Sequence, residues 1–310
     1  MRVAVTGITS DFGTVLAPLL FADPDVEEVV GIDLRDPAQV MALADSVAES
    51  GPLDILINNA AQTVRRSPGA YSALTEAESA PLPDGELPEM ITFAHTSDAH
   101  PQALTSSLTS HPELTAASLT SLALTAGSAG AAQIAAGTAV DAGGLLPDLH
   151  HVNSWTQRVN EVDPVDLLEV QLCNSTAPFI LISRLRSSMA ASPARRTYVV
   201  NVSAMEGQFS RGYKGPGHPH TNMAKAALNM LTRTSAEEML TDGILMTAVD
   251  TGWITDERPH PTKMRLAEEG FHAPLDLVDG AARVYDPIVR GEQGEDLYGC
   301  FLKDYQPAAW

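Results

Sequence analysis

The sequence predicts a doubly wound α/β fold: one domain over residues 1–310, with a mostly parallel sheet covered by helices on both faces. Three observations predict it. Short continuous apolar runs alternate with helical patterns, as expected for parallel strands buried on both faces. The alternation breaks off once, at about 62–152, and then resumes, so a long insertion follows the third strand. With 310 residues, 44% of them hydrophobic, the chain can build one large core.

The elements follow in order. Residues 2–6 form a β-branched strand pattern running into Thr6-Gly7. A helical pattern over 11–21 turns Leu16, Leu19 and Leu20 inward, and Asp23-Pro24-Asp25 breaks it. Residues 29–33 read as a second buried strand. Pro37 opens a helix that runs to about Glu49, and Gly51-Pro52 ends it. Residues 53–57 are the third strand. The insertion is rich in Pro, Ser, Thr, Ala and Gly, and 99–144 approaches low complexity. A structureless loop of that length is improbable in a compact domain, so short helices are expected there, with 114–124 a candidate. The segment serves as a tolerated surface insertion, a lid or an oligomer contact. Beyond it come a helix over 165–189, a strand over 197–202 and a helix over 221–240 with Met223, Ala227, Met230 and Leu231 on an apolar stripe. A strand over 244–249, a helix over 275–289 and a strand over 297–302 complete the series.

Charge and composition exclude several function classes. A net charge of −20 repels nucleic-acid phosphates and anionic lipid, so neither is expected as a partner. The opening residues enter a strand at once, without secretory-leader anatomy, and no uninterrupted apolar run of about 18 residues is read as a membrane span. Cys173 and Cys300 cannot build a disulfide framework, which fits a reducing cytoplasm. His150-His151 and the pair His218 and His220 lack helical ligand spacing and a nearby Cys or acidic partner, so no metal is expected.

Four segments carry chemistry. The turn Thr6-Gly7-Ile8-Thr9-Ser10-Asp11-Phe12-Gly13 joins a strand to a helix, where backbone amides and the helix N-terminus favour a pyrophosphate. Asp11 stands where a middle glycine is expected; it serves as a helix cap, or repels a diphosphate. Asn58-Asn59-Ala60-Ala61 lies at the carboxyl end of the third strand, where ligands bind in parallel sheets, although such amides can equally tie neighbouring strands together. Ser203 ends a strand, and His220-Thr221-Asn222-Met223-Ala224-Lys225 opens the next helix. The fourth segment is Asp250-Thr251-Gly252-Trp253-Ile254-Thr255, whose Trp253 serves as a core or lid residue or stacks on a planar ligand.

These segments, with Asn174 on the long helix, resemble the short-chain dehydrogenase/reductase family over about 1–61 and 153–305. Residues 197–255 look like a bacterial and plant subgroup bearing His-Pro-His-Thr-Asn-Met-Ala-Lys. The resemblance implies a Rossmann-like fold and an NAD or NADP cofactor. It implies that Asn174 anchors a proton-relay water, Ser203 polarises the substrate oxygen and Lys225 holds the cofactor ribose. Thr6, Gly7, Phe12, Gly13, Asn59, Ala60, Gly252 and Thr255 would line the cofactor.

The chain departs from the family pattern at three places. Thr221 stands four residues before Lys225, where the family has its proton-donating Tyr, and an aliphatic hydroxyl is too weak an acid for that task. Ser203 and Lys225 are also further apart, and the added loop offers Tyr213, Lys214, His218 and His220. Tyr213 ranks first among these for its phenol, and His220 second for its place beside the helix start. Only one strand, 29–33, separates the first turn from Asn58. As the family's second strand it would place Asp33 on the adenosine ribose and favour NAD; as the third it would place Asp33 near adenine.

The reading is therefore an NAD(P)-dependent oxidoreductase acting on a carbonyl or alcohol of a small organic molecule, self-associating or monomeric. The rivals are a cofactor-independent cyclase, lyase or isomerase, favoured by Asp11, Thr221 and the missing strand–helix unit, and a non-catalytic binding protein.

Overall fold

The computed structural model describes residues 1–7, 28–65, 89–93, 101 and 150–310. In chain order its strands are β1 (Val3–Val5), β2 (Glu28–Gly31), β3 (Ile55–Asn58), β4 (Glu89–Thr92), β5 (Thr197–Ser203), β6 (Ile244–Asp250), β7 (Phe301–Lys303) and β8 (Gln306–Ala308). Its helices are α1 (Pro37–Glu49), α2 (Pro164–Gln171), α3 (Ala177–Ala190), α4 (Pro219–Leu240), α5 (His260–Glu268) and α6 (Leu277–Glu292). The central sheet runs β1-β3-β5-β6-β7-β8, parallel throughout except for β8, which returns antiparallel on β7. This is the mixed α/β, mostly parallel architecture that the alternation predicts.

Local chemistry starts the helices where the sequence places them. Asp36 accepts a hydrogen bond from the Ala38 amide and Pro37 follows it; Asp163 and Pro164 repeat the device on α2. One face of the sheet packs Leu56, Val199 and Met246 against α1 and α3, through Val40, Leu181 and Leu185. The other face packs Tyr198, Val200 and Leu245 under Ile288 of α6. The helical run 164–190 has the length and apolar composition of a membrane span, against the expectation from the sequence. Within this fold 44% of that apolar window is buried.

Several elements differ from expectation. The helix expected over 165–189 is interrupted by a π turn at Leu172–Thr176, which lodges Cys173 and Asn174 in the interior. β4 lies inside the predicted insertion and pairs in parallel with β2, forming a separate two-stranded sheet. Among the described residues no strand is hydrogen-bonded to the outer edge of β1, so β2 is not the strand beside it. α5 and β8 were not anticipated, and the last parallel strand is shorter than 297–302. The helix expected over 11–21, the candidate at 114–124, and Asp11, Phe12 and Gly13 lie outside the described residues.

The contact between α6 and β5 is tight at Gly291, where an added Cβ would stand 2.3 Å from the Tyr198 ring. Gly291→Ala therefore forces the ring or the helix to move. A loss of about 1–3 kcal/mol is expected, the usual cost of overpacking a filled core, and urea denaturation measures it.

Candidate active site

Parallel sheets gather their loops at the carboxyl ends of the strands: Thr6 and Gly7 follow β1, Asn59 and Ala60 follow β3, Ser203 ends β5 and Gly252 follows β6. Gly7 follows β1 with φ +77°, and a Cβ on it would stand 2.5 Å from the Ala60 Cα. The turn after β1 and the segment after β3 thus meet at backbone distance. Thr6 Oγ1 accepts from the Ala60 amide at 3.2 Å, and Asn59 Nδ2 donates to the Gly7 carbonyl at 3.3 Å. Asn58 instead ties strands together, donating to Asn201 Oδ1 at 2.8 Å. Both amides thus tie neighbouring segments together.

Asn174 sits in the π turn, 1% exposed. Its amide accepts from the Gln62 backbone N–H at 2.7 Å and donates to the Gln62 carbonyl at 2.8 Å, clamping the chain beyond β3 onto the helix. Lys225 is buried at the carboxyl end of β5, where Nζ donates to the Val202 carbonyl at 2.8 Å. Burial pulls its pKa down from 10.5 to about 8. No second hydrogen bond to Nζ occurs among the described residues, so two of its three donor positions are open.

Ser203 differs from expectation. Its hydroxyl is buried and donates to Asn229 Oδ1 at 2.6 Å, so it is turned toward α4 rather than toward a substrate oxygen. Thr221 has the opposite character: its hydroxyl is buried with no hydrogen-bond partner among the described residues.

The loop before α4 separates the proposed proton donors. Lys214 reaches back to the Met205 and Glu206 carbonyls, while Tyr213 projects into solvent, 76% exposed. His218, in the left-handed region at φ 40°, stacks on Trp155 at 3.7 Å between ring centroids, and its Nδ1 lies 2.8 Å from the Trp155 carbonyl. His220 is enclosed at the head of α4, 1% exposed, with neither ring nitrogen hydrogen-bonded among the described residues. An orphaned buried polar atom ordinarily costs about 1–3 kcal/mol, so this ring is held at some expense in stability. Its nearest charge is Asp166, with Nε2 and Oδ2 3.8 Å apart.

Sequence reasoning missed the residues around that pair. Gln62 Nε2 donates to Asp166 Oδ1 at 3.3 Å and Glu169 Oε2 at 3.0 Å. Glu169, wholly buried, also lies 3.2 Å from Arg35 and 3.7 Å from Arg65. Arg35 in turn grips Asp33, donating from Nε and Nη2 at 2.9 and 2.7 Å. Asp166 and Glu169 stand three apart on an amphipathic helix, and that spacing was the available signal that they share one face. Gly252, at φ +79°, donates its amide to Asp250, and the Thr255 hydroxyl is engaged by Glu257. Among the described residues no three His, Cys, Asp or Glu side chains are grouped to hold a metal ion.

The fold is shared with solved short-chain dehydrogenases and carbonyl reductases. The carbonyl reductase Sniffer of D. melanogaster superposes with TM-score 0.54 at 15% identity, over 100% of this chain and 99% of that one. A short-chain dehydrogenase from Streptomyces avermitilis gives 0.54 at 15%, over 98% and 88%. Pseudomonas aeruginosa RhlG, solved as an NADP complex, gives 0.51 at 15%, over 97% and 93%. By sequence, an uncharacterized protein of Acanthamoeba polyphaga mimivirus is 30% identical over 151 residues, 47% of this chain. This chain covers only 32% of that viral protein's length. The C-signal of Myxococcus xanthus is 23% identical over 122 residues, 39% of this chain and 72% of that protein. No family model matches.

Proposed function

We propose that the protein is an NAD(P)-dependent oxidoreductase acting on a carbonyl or alcohol of a small organic molecule, a divergent relative of the short-chain dehydrogenases. The observation that carries this reading is the pairing of the close Gly7–Ala60 backbone contact after β1 and β3 with Lys225, whose buried ammonium has two open donor positions two strands away. A ribose diol supplies the acceptors those positions lack, so the residues present fit a nicotinamide dinucleotide. Thr6, Gly7, Asn59 and Ala60 would line it, and Lys225 would hold its ribose. The bound cofactor supplies hydride transfer to or from the substrate carbon.

The chain's own residues then have to manage charge on the substrate oxygen. In this reading the unpartnered Thr221 hydroxyl donates to that oxygen in place of Ser203, and His220 gives or takes the proton. His220 is preferred to Tyr213 because it is enclosed beside Thr221, whereas Tyr213 lies in solvent. Calorimetric titration with both nucleotides tests the reading, and binding of neither would contradict it.

We further place the protein in the cytoplasm, as a single domain with neither nucleic acid nor membrane as a partner, and infer self-association. Met223, Ala227 and Met230 form an outward apolar stripe on α4, the opposite of the inward stripe the pattern suggests. Sedimentation equilibrium would show a monomer if that inference is wrong.

A further inference from the structure

We propose that Asp166 is a positioning residue for His220, which holds the imidazole with Nε2–H toward the carboxylate so that Nδ1 carries the exchangeable proton. The proposal rests on the oxidoreductase reading only for the proton's destination; the pairing stands on geometry.

Four observations converge on it. The ring is almost wholly enclosed and neither nitrogen has a hydrogen-bond partner among the described residues. The Asp166 carboxylate lies on the Nε2 side at 3.8 Å, close enough to fix the tautomer once the ring tightens onto it. Asp166 is itself fixed, because Oδ1 takes a hydrogen bond from Gln62, whose backbone is clamped by Asn174. Finally, Gln171 Nε2 donates to the His220 carbonyl at 3.0 Å, locking α2 to the head of α4.

The electrostatics point the same way. Burial lowers the His220 pKa, and Asp166 opposes that shift. Burial raises the Asp166 pKa, against His220, the Gln62 hydrogen bond and Arg65. The carboxylate thus offsets part of the cost of charging the enclosed ring. The other groups facing the pair are Glu169, which raises the Asp166 pKa, and His218, which lowers that of His220. In carbonyl reduction the His220 Nδ1–H bond breaks and the substrate O–H bond forms. The positive charge leaves the ring, and the neutral Nε2–H tautomer remains beside Asp166. Alcohol oxidation runs the same proton back onto Nδ1.

The test uses the full chain labelled with ¹⁵N-histidine, in which nine histidines contribute and His220→Gln assigns the relevant signals. Long-range nitrogen–proton correlations should find neutral His220 as the Nε2–H tautomer. Asp166→Asn should lower the apparent His220 pKa by about one unit, the smaller end of a close opposite charge. Glu169→Gln should leave the tautomer unchanged. An Nδ1–H tautomer in the unaltered chain, or an Asp166→Asn titration that overlays it, would overturn the proposal. Should Asp166→Asn fail to fold, the tautomer in the unaltered chain decides alone. None of these signals needs cofactor, so an Nε2–H tautomer in a protein that binds no nucleotide would uphold the pair while ending the oxidoreductase reading.

Discussion

Lys225→Met is expected to abolish dinucleotide binding and, at the same time, to stabilise the fold. The two effects share one cause, an ammonium buried with a single hydrogen bond. Its pKa falls from 10.5 in the unfolded chain to about 8 in the folded one. As pH drops below 10.5 the unfolded chain takes up the proton first, and the cost to folding grows until the folded chain is protonated below about 8. At roughly 1.4 kcal/mol per unit the cost at neutral pH is about 3 kcal/mol. Losing the bond to Val202 returns about 1 kcal/mol of that, for a net gain near 2 kcal/mol. A chain of this size should then melt about 3 °C higher. The gain should fade as pH rises through the interval from 8 to 10.5. Scanning calorimetry across that range, with nucleotide titration of the same variant, reads both effects. Unchanged nucleotide affinity, or a stability difference independent of pH, would contradict the assignment of Lys225.

The second large effect concerns the proton. His220→Gln should lower turnover of any carbonyl the protein reduces by at least about 100-fold, the lower end of general-acid contributions. Thr221→Val removes a hydrogen bond rather than an acid and should cost about tenfold, near 1.4 kcal/mol. Tyr213→Phe should leave turnover nearly unchanged, since the phenol stands in solvent. Steady-state kinetics on the three variants separates these roles. If Tyr213→Phe is the crippled variant, the loop closes over the substrate and the phenol is the acid after all.

The contrast between Tyr213 and His220 illustrates what the sequence does and does not reveal. Chemistry alone ranks a phenol above an imidazole, and only burial reverses the order. The strands were readable because β5 and β6 are buried on both faces and carry the continuous apolar runs Tyr198-Val199-Val200 and Ile244-Leu245-Met246. Helix starts were readable from Asp36-Pro37, a local signal. α4 was misread for a physical reason: its inward face carries His220, Thr221, Lys225, Asn229 and Thr232, while Met223 and Met230 face out. A helix that supplies a site inverts the usual polarity, and a periodicity argument then picks the wrong face. β4 escaped notice because its Met90-Ile91-Thr92 run is short and its partner, β2, lies far away in sequence. Of the Gln62–Asp166–Glu169 network the sequence offers only the shared face of its two acids, which on a helix normally reads as solvated; the tertiary contact with Arg35, Arg65 and His220 gives them partners.

Cofactor use is the central claim, and calorimetric titration of NADH and NADPH into the purified chain tests it most directly. Saturable one-to-one binding is expected, lost in Lys225→Met. Absence of binding by either nucleotide to a folded protein would contradict it, and would leave the Asp166–His220 pair to chemistry that needs no hydride.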